Sequence, residues 1–177
     1  MISSYMYENV EVADKMTTRL SDLLRMTIEA GDKQVVPLHE ELAFLNSYLE
    51  IMRARFQDQL RVRLHIAEDT LDRDVPYLLL QPLVENAIIH GIKKKKNSGT
   101  VTVTSSLEAG HLHLSVEDDG PGPIGELNEQ RFGIGLRNTR ERLHQLYGDR
   151  HRFSLGNRAK GGFFVEVAIL GVEIPHV

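Results

Sequence analysis

The 177-residue chain has no cysteine, no tryptophan and few aromatic side chains, five Tyr and six Phe, or 6% of the total. Without thiols there is no disulfide, no thiolate zinc site and no cysteine nucleophile. So few aromatics give little from which to build a base-stacking platform for single-stranded nucleic acid. Excess positive charge is missing as well, with 21 Lys and Arg against 25 Asp and Glu for a formal net charge of −4. The broad basic footprint of a duplex-binding protein is therefore absent. No stretch approaches the roughly 20 apolar residues that span a bilayer. Met1 to Tyr5 lead straight into Glu8 and Glu11, without the basic end and apolar run of a signal peptide. These absences predict a cytoplasm-like chain with no nucleic-acid partner and no direct membrane contact.

What is present is an ordinary globular composition, 41% hydrophobic and 26% charged. Up to about Gln59 the chain reads as helical. Ala13, Met16, Leu20, Leu23 and Leu24 form one apolar stripe between about Val10 and Ala30, and Gly31 ends it. A second helix is predicted from near Pro37, with Glu40 and Glu41 in its first turn, where they suit its own dipole. Leu38, Leu42, Leu45, Leu49, Met52 and Phe56 step by four and three, a heptad seam. Such stripes need each other, the following domain or a second copy of the chain to cover them. Beyond Gln59 apolar residues alternate in 61–66, 100–104, 111–116 and 165–169, as half-buried strands do. Helices are predicted over about 77–90 and 135–147. The pattern predicts an α/β fold, a two-layer sandwich of a mostly antiparallel sheet with helices over one face.

Neither a Walker-type phosphate loop nor a dinucleotide glycine fingerprint occurs. Three other elements carry chemistry. In the run Gln81 to Gly91, Asn86 and His90 are four apart and share a helix face, with Glu85 in the neighbouring row. A carboxamide oxygen can ligate a hard cation such as Mg2+, although a helix with a polar side gives the same pattern. Asp118-Asp119-Gly120-Pro121-Gly122 follows a strand; a carboxylate there can accept a hydrogen bond from an exocyclic amino group, with bare backbone beside it. An ordinary turn uses the same residues. Gly133-Ile134-Gly135-Leu136 opens a helix, where free N–H groups suit phosphate, or where a flexible loop simply ends.

As an ordered set these elements resemble the asparagine and glycine boxes of the GHKL superfamily of gyrase-type ATPases, chaperones, histidine kinases and mismatch-repair proteins. Ser21 to Arg25, Tyr48 to Phe56, Gln81 to Gly91 and Gly133 to Asn138 with Glu141-Arg142-Leu143 extend the likeness to LytS-type sensor histidine kinases. The resemblance implies the GHKL (Bergerat) ATP-binding fold over residues 59–177, preceded in 1–58 by partial dimerisation and linker helices. It implies that Asp118 binds the adenine amino group, with Gly120 and Gly122 lining the base pocket. Asn86 would hold Mg2+ at the ATP phosphates, His90 and Lys93 would neutralise or orient them, and Gly133, Gly135 and Leu136 would form the lid and phosphate loop. Glu85 would be an acid/base helper. ATP, the protein's own acceptor domain and a cognate response regulator would be its partners, in a homodimeric full-length protein whose membrane part lies outside this chain.

Two departures refine the expectation. Where ATP-hydrolysing relatives carry a water-activating Glu one turn before the metal Asn, this chain has Pro82, which favours transfer to a side chain over hydrolysis. Where many relatives end with Gly-Thr, Gly162 is followed by Phe163 and Phe164. The run 123–132 predicts only a small lid. The Pro-His-Phe-Leu-Phe-Asn-like run that carries the acceptor histidine in LytS-type kinases is not found, and the chain begins at about the point just after it. His39-Glu40 reads as a helix start rather than an acceptor pair. A non-catalytic nucleotide-binding dimerisation and signalling module, and a serine kinase with the same boxes, are the alternatives.

Overall fold

The protein is described by a computed structural model, which covers residues 17, 18, 21, 25, 33–95, 97–122 and 133–171. The stripe predicted between Val10 and Ala30 lies mostly outside them, as does the run 123–132. A short strand β1 (Val35–Pro37) runs directly into helix α1 (Leu38–Phe56), and strand β2 (Leu60–Ile66) follows. Strand β3 (Asp74–Pro76) pairs antiparallel with β1 and precedes helix α2 (Leu80–Asn86). After α2 the chain widens into a π-helical turn, Ala87–Gly91, and then a 3-10 turn, Ile92–Lys94. Strands β4 (Gly99–Glu108) and β5 (His111–Asp118) come next, then helix α3 (Ile134–Tyr147) and strands β6 (His151–Asn157) and β7 (Phe163–Ile169).

The main sheet has the order β2-β4-β5-β7-β6, antiparallel except for the β2–β4 pair. Val101 and Val103 of β4, Leu112, Leu114 and Val116 of β5, and Val165, Val167 and Ile169 of β7 are buried on one face. Their opposite neighbours are Thr, Ser, His and Glu with Phe164 and Ala168 on β7, so the other face is mostly polar, as the alternation predicts. The helices cover the apolar face, and the two-layer α/β expectation holds.

The seam of α1 finds its cover within the chain. Leu38, Leu42, Leu45 and Leu49 are buried, and Met52 and Phe56 pack against the same core as the sheet and α2. Of the three possible partners, the following domain takes this surface, and the seam is not what would join two copies. Glu40 stays exposed, 3.6 Å from Lys33 Nζ. Glu41, predicted to serve its own helix, is instead completely buried.

The helix predicted over 77–90 is shorter and less regular. It starts at Leu80 because Leu78 adopts a left-handed backbone, φ 57°, and it leaves α geometry at Ala87. Strand β6 has only Phe153 and Leu155 as an apolar alternation, too little to predict it. Among the described residues, no helix is long and apolar enough to cross a membrane.

Leu45→Ala removes a fully buried side chain from α1 and is expected to destabilise the whole unit by about 2–5 kcal/mol. Urea unfolding followed through both helix and sheet signals checks this. One shared, shifted transition is expected, whereas a helix standing apart from the sheet would leave the sheet transition unmoved.

Candidate functional site

Strand β5 delivers Asp118 to the end of the central sheet with its side chain on the covered face. Glu117 pairs with Phe164 of β7, which brings the turn between β6 and β7 alongside Asp118. Gly162 lies there at φ 100°, and a Cβ on it would stand 1.9 Å from the Asp118 carbonyl oxygen. On the helix side, a Cβ on Gly91 would stand 2.4 Å from Asp118 Oδ1, and one on Gly120 would stand 2.5 Å from the Gly91 Cα. Gly91 and Gly120 thus close on the Asp118 carboxyl group while Gly162 packs on the backbone of the same residue, and only glycine fits at each.

Asp118 is 2% exposed, and its Oδ1 accepts the Gly120 N–H at 2.8 Å. Burial pushes its pKa above the usual carboxylate range, opposed by the Gly120 N–H and reinforced by the neighbouring charge of Asp119. Arg158, in the β6–β7 turn, donates to the Asp118 carbonyl at 3.2 Å and pairs with Glu117 at 2.9 Å. The strand end is thereby clamped from outside the pocket.

The adjacent acid has the opposite environment. Asp119 Oδ1 accepts the Thr100 N–H at 2.8 Å and lies 2.9 Å from Lys95 Nζ. Partial burial raises its pKa, but these hydrogen bonds and the lysine charge outweigh it and hold the group below its ordinary value. Two neighbouring carboxyls with pKa values pushed apart mark two roles. Asp119 ties the segment after the π turn to β4, and Asp118 retains acceptor capacity in a dry site.

The π turn is the second part of the site. Such turns are rare and collect at functional sites. Asn86 ends α2 half-buried, and His90 is exposed inside the turn. Glu85 is exposed, and its charge raises the pKa of the buried Tyr48 hydroxyl beyond what burial does. Lys93 is exposed on the following 3-10 turn.

The lid glycines open α3. Gly133 is its N-cap, and a Cβ on Gly135 would lie 3.4 Å from Pro82 Cβ, so the start of α3 meets the start of α2. Leu136 points into the core and anchors the helix. Gly122, at φ 69°, lies near Asn157 and Gly162. His39 sits in the first turn of α1, with Nδ1 3.2 Å from the Leu71 carbonyl oxygen.

The structure therefore brings Asn86, His90, Asp118 and Gly120 to one end of the sheet, with the start of α3 reaching the other end of α2. Sequence reasoning missed Gly91 and Gly162 as pocket walls and missed the Arg158 clamp. Gly91 closes a motif already singled out, which was the available signal. The role of Gly162 depends on a contact between β5 and the β6–β7 turn that no local pattern records. Chemically, the site offers a buried carboxyl acceptor with the bare backbone of Gly91 and Gly120 against it, at the end of the segment that carries Asn86 and His90.

The family described as histidine kinase-, DNA gyrase B-, and HSP90-like ATPase matches residues 71–172, and the histidine kinase family matches residues 1–60. The chain is 31% identical over 173 residues to the sensor protein LytS of Oceanobacillus iheyensis, covering 91% of this chain and 30% of that protein. It therefore spans less than a third of that relative's length. The histidine kinase domain from the Erythrobacter litoralis EL346 blue-light activated histidine kinase superposes with a TM-score of 0.61 at 22% identity, over 97% of this chain and 84% of that one. Histidine kinase ThkA, solved in complex with the response regulator protein TrrA, superposes with a TM-score of 0.58 at 16% identity, over 93% of this chain and 51% of that one.

A buried carboxyl whose folded-state pKa exceeds its unfolded value makes the fold less stable as the pH rises through the interval between the two. Asp118→Asn is therefore expected to raise the melting temperature of the ligand-free protein at neutral pH, with the gain shrinking in acid. Thermal melts across the pH range check this, and a neutral-pH loss of stability would contradict the burial account.

Proposed function

The chain belongs to the family of histidine kinase-, DNA gyrase B-, and HSP90-like ATPases, and on that premise we propose that it is the ATP-binding catalytic region of a two-component sensor histidine kinase. In this reading it transfers the γ-phosphoryl group of ATP to a histidine outside this chain. Residues 59–177 form the catalytic unit; residues 1–58 contribute dimerisation and linker helices, of which α1 folds onto that unit. The observation that carries the reading is the slot around Asp118. A buried carboxyl flanked by the bare backbone of Gly91 and Gly120 matches a flat base that brings a hydrogen-bond donor.

Asp118 accepts the exocyclic amino hydrogen of adenine, which satisfies a carboxylate that burial otherwise disfavours. Gly91 and Gly120 keep side chains away from the carboxyl that meets the ring, while Gly162 lets the β6–β7 turn pack on the Asp118 backbone and Gly122 lies near Asn157. Asn86 would hold a Mg2+ ion through its carboxamide oxygen; a hard cation of this kind takes its other ligands from water and phosphates. When bound, that ion supplies charge neutralisation to the phosphates. His90 and Lys93 add positive charge along the same side. Gly133 and Gly135, at the start of α3, would leave its first backbone amides open to the phosphates, with Leu136 fixing the helix behind them.

In the transfer, an imidazole nitrogen of the acceptor histidine bonds to the γ-phosphorus while the bond to the β-phosphate bridging oxygen breaks and ADP departs. Glu85 is exposed beside Asn86 and receives the imidazole proton. Pro82 has no group that could activate water at the position used by hydrolytic relatives. The protein's contribution is positioning and electrostatics, as phosphoryl transfer requires.

The phosphorylated histidine then passes its phosphoryl group to a response regulator, a partner class that fits the complex seen for ThkA. The parent would be a homodimeric sensor protein with this region on the cytoplasmic side of a membrane.

Calorimetry is expected to show micromolar-to-millimolar binding of Mg-ATP to the folded protein, abolished by Asp118→Ala or Asn86→Ala. Incubation with labelled ATP and a supplied acceptor-histidine fragment is expected to give an acid-labile phosphoprotein. No nucleotide binding by folded protein would refute the reading, and an acid-stable product would replace it with a serine kinase.

A further inference from the structure

We propose that Glu41 is a positioning residue for the nucleotide site: from the N-terminal helix it fixes the start of the helix that presents Asn86. The inference rests on the reading of Asn86 and Asp118 as a nucleotide site and names a residue outside it on which its geometry depends.

Glu41 is completely buried on α1. Its Oε2 accepts the Leu78 N–H and its Oε1 accepts the Leu80 N–H, both at 2.8 Å. Those two amides bracket the entry to α2, a helix with no capping side chain of its own. The first N–H groups of a helix have no partner within it. Here Leu80 is satisfied by Glu41, and Pro82 has no N–H to satisfy. A capping role normally filled by a local Ser, Thr or Asp is filled by a carboxylate 39 residues away in sequence.

The entry is also where strain is held. Leu78 is a bulky residue at φ 57°, a conformation that persists only when the surroundings over-determine it. The hydrogen bond from the Leu78 N–H to the Glu41 carboxyl supplies part of that determination. Two more contacts converge on the same turn. Tyr77 N–H donates to the Gln34 carbonyl at 3.1 Å, and the Arg142 guanidinium of α3 donates to the Tyr77 carbonyl. Residues leading in from the N-terminal region, α1, and the helix opened by Gly133 therefore all address Tyr77 to Leu80.

Desolvation pushes the Glu41 carboxyl up to about 7, against the pull of the Leu80, Leu78, Gln81 and Leu79 amides. A carboxyl so buried and so hydrogen-bonded makes a rigid connection. Helix α2 is a rod of only seven residues, so Asn86 lies about 9 Å from the anchored end. A shift or tilt at Leu80 is transmitted to Asn86 with little room for absorption. At its other end the same segment is set against Asp118 through Gly91.

The test compares wild type with Glu41→Gln, which keeps one acceptor oxygen, and Glu41→Ala, which keeps none. Amide NMR of the ligand-free proteins and calorimetry with Mg-ATP are the readouts. We expect Glu41→Gln to remain folded, to shift the Leu78 and Leu80 amides, and to carry the perturbation through to Asn86 and His90. Its Mg-ATP affinity should fall about tenfold, and that of Glu41→Ala further. Perturbations confined to Leu78–Leu80, with affinity within twofold of wild type, would overturn the proposal and leave Glu41 a stabilising residue only. If wild type itself binds no Mg-ATP, the nucleotide reading fails. The amide shifts of Asn86 and His90 then still decide whether Glu41 sets the helix.

Discussion

A carboxyl group buried at the end of a strand, with the backbone of Gly91 and Gly120 pressed against it, is the constraint to which the rest of the molecule conforms. Burying a carboxylate is costly unless donors reach it. The fold gives Asp118 the Gly120 N–H at 2.8 Å, with the Phe163 amide also favouring the carboxylate, and sets the backbone of Gly91 and Gly120 against the side chain. The sheet register places Gly162 beside it, the π turn places Gly91 beside it, and Arg158 braces the strand from outside. A side chain at Gly91 or Gly120 would collide with the carboxyl, and one at Gly162 with the Asp118 backbone carbonyl. The site is therefore a product of packing, and its chemistry follows from what was kept out.

Two buried carboxyls are used in contrasting ways. Asp118 is raised in pKa at the site proposed for a ligand donor, whereas Glu41 is raised but accepts two amides at the entry to α2. Between them they bracket the segment Leu80–Gly91, one at its start and one against its last residue. Helix α3 meets this segment as well, through Gly135 at Pro82 and Arg142 at Tyr77. The Asn86-bearing segment is thus the part of the molecule that every neighbouring element addresses. Phosphoryl transfer depends on geometry to a fraction of an ångström, so this is the segment whose placement matters most.

Much of this was legible in the sequence, because alternation and heptad spacing are local patterns. The central strands and the apolar faces of α1 and α3 follow from them. Their partners do not. Leu38, Leu42, Leu45 and Leu49 read equally well as a dimer seam, and only the structure shows the sheet taking that face. Glu41 looked like a first-turn acid serving its own helix; it serves another one, because a charge can be satisfied by donors that sequence distance hides. Strand β6 escaped because Phe153 and Leu155 alone make the alternation. The π turn escaped because no residue pattern marks the passage from α to π geometry at Ala87. Asp118 and Asp119 are indistinguishable as letters, and their separate roles come from Thr100 and Lys95 on one side and the glycine walls on the other.

The central claim, that Asp118 reads the amino group of an adenine base in a dry glycine-walled slot, is tested most directly by comparing ATP with inosine triphosphate. The two differ at the ring position that faces the carboxyl, where inosine carries an oxygen in place of the amino group. A buried acceptor left without its donor rejects the analogue strongly. Competition calorimetry on the wild-type protein is predicted to show inosine triphosphate binding at least about a hundredfold more weakly than ATP. Equal affinity for the two nucleotides would contradict the account.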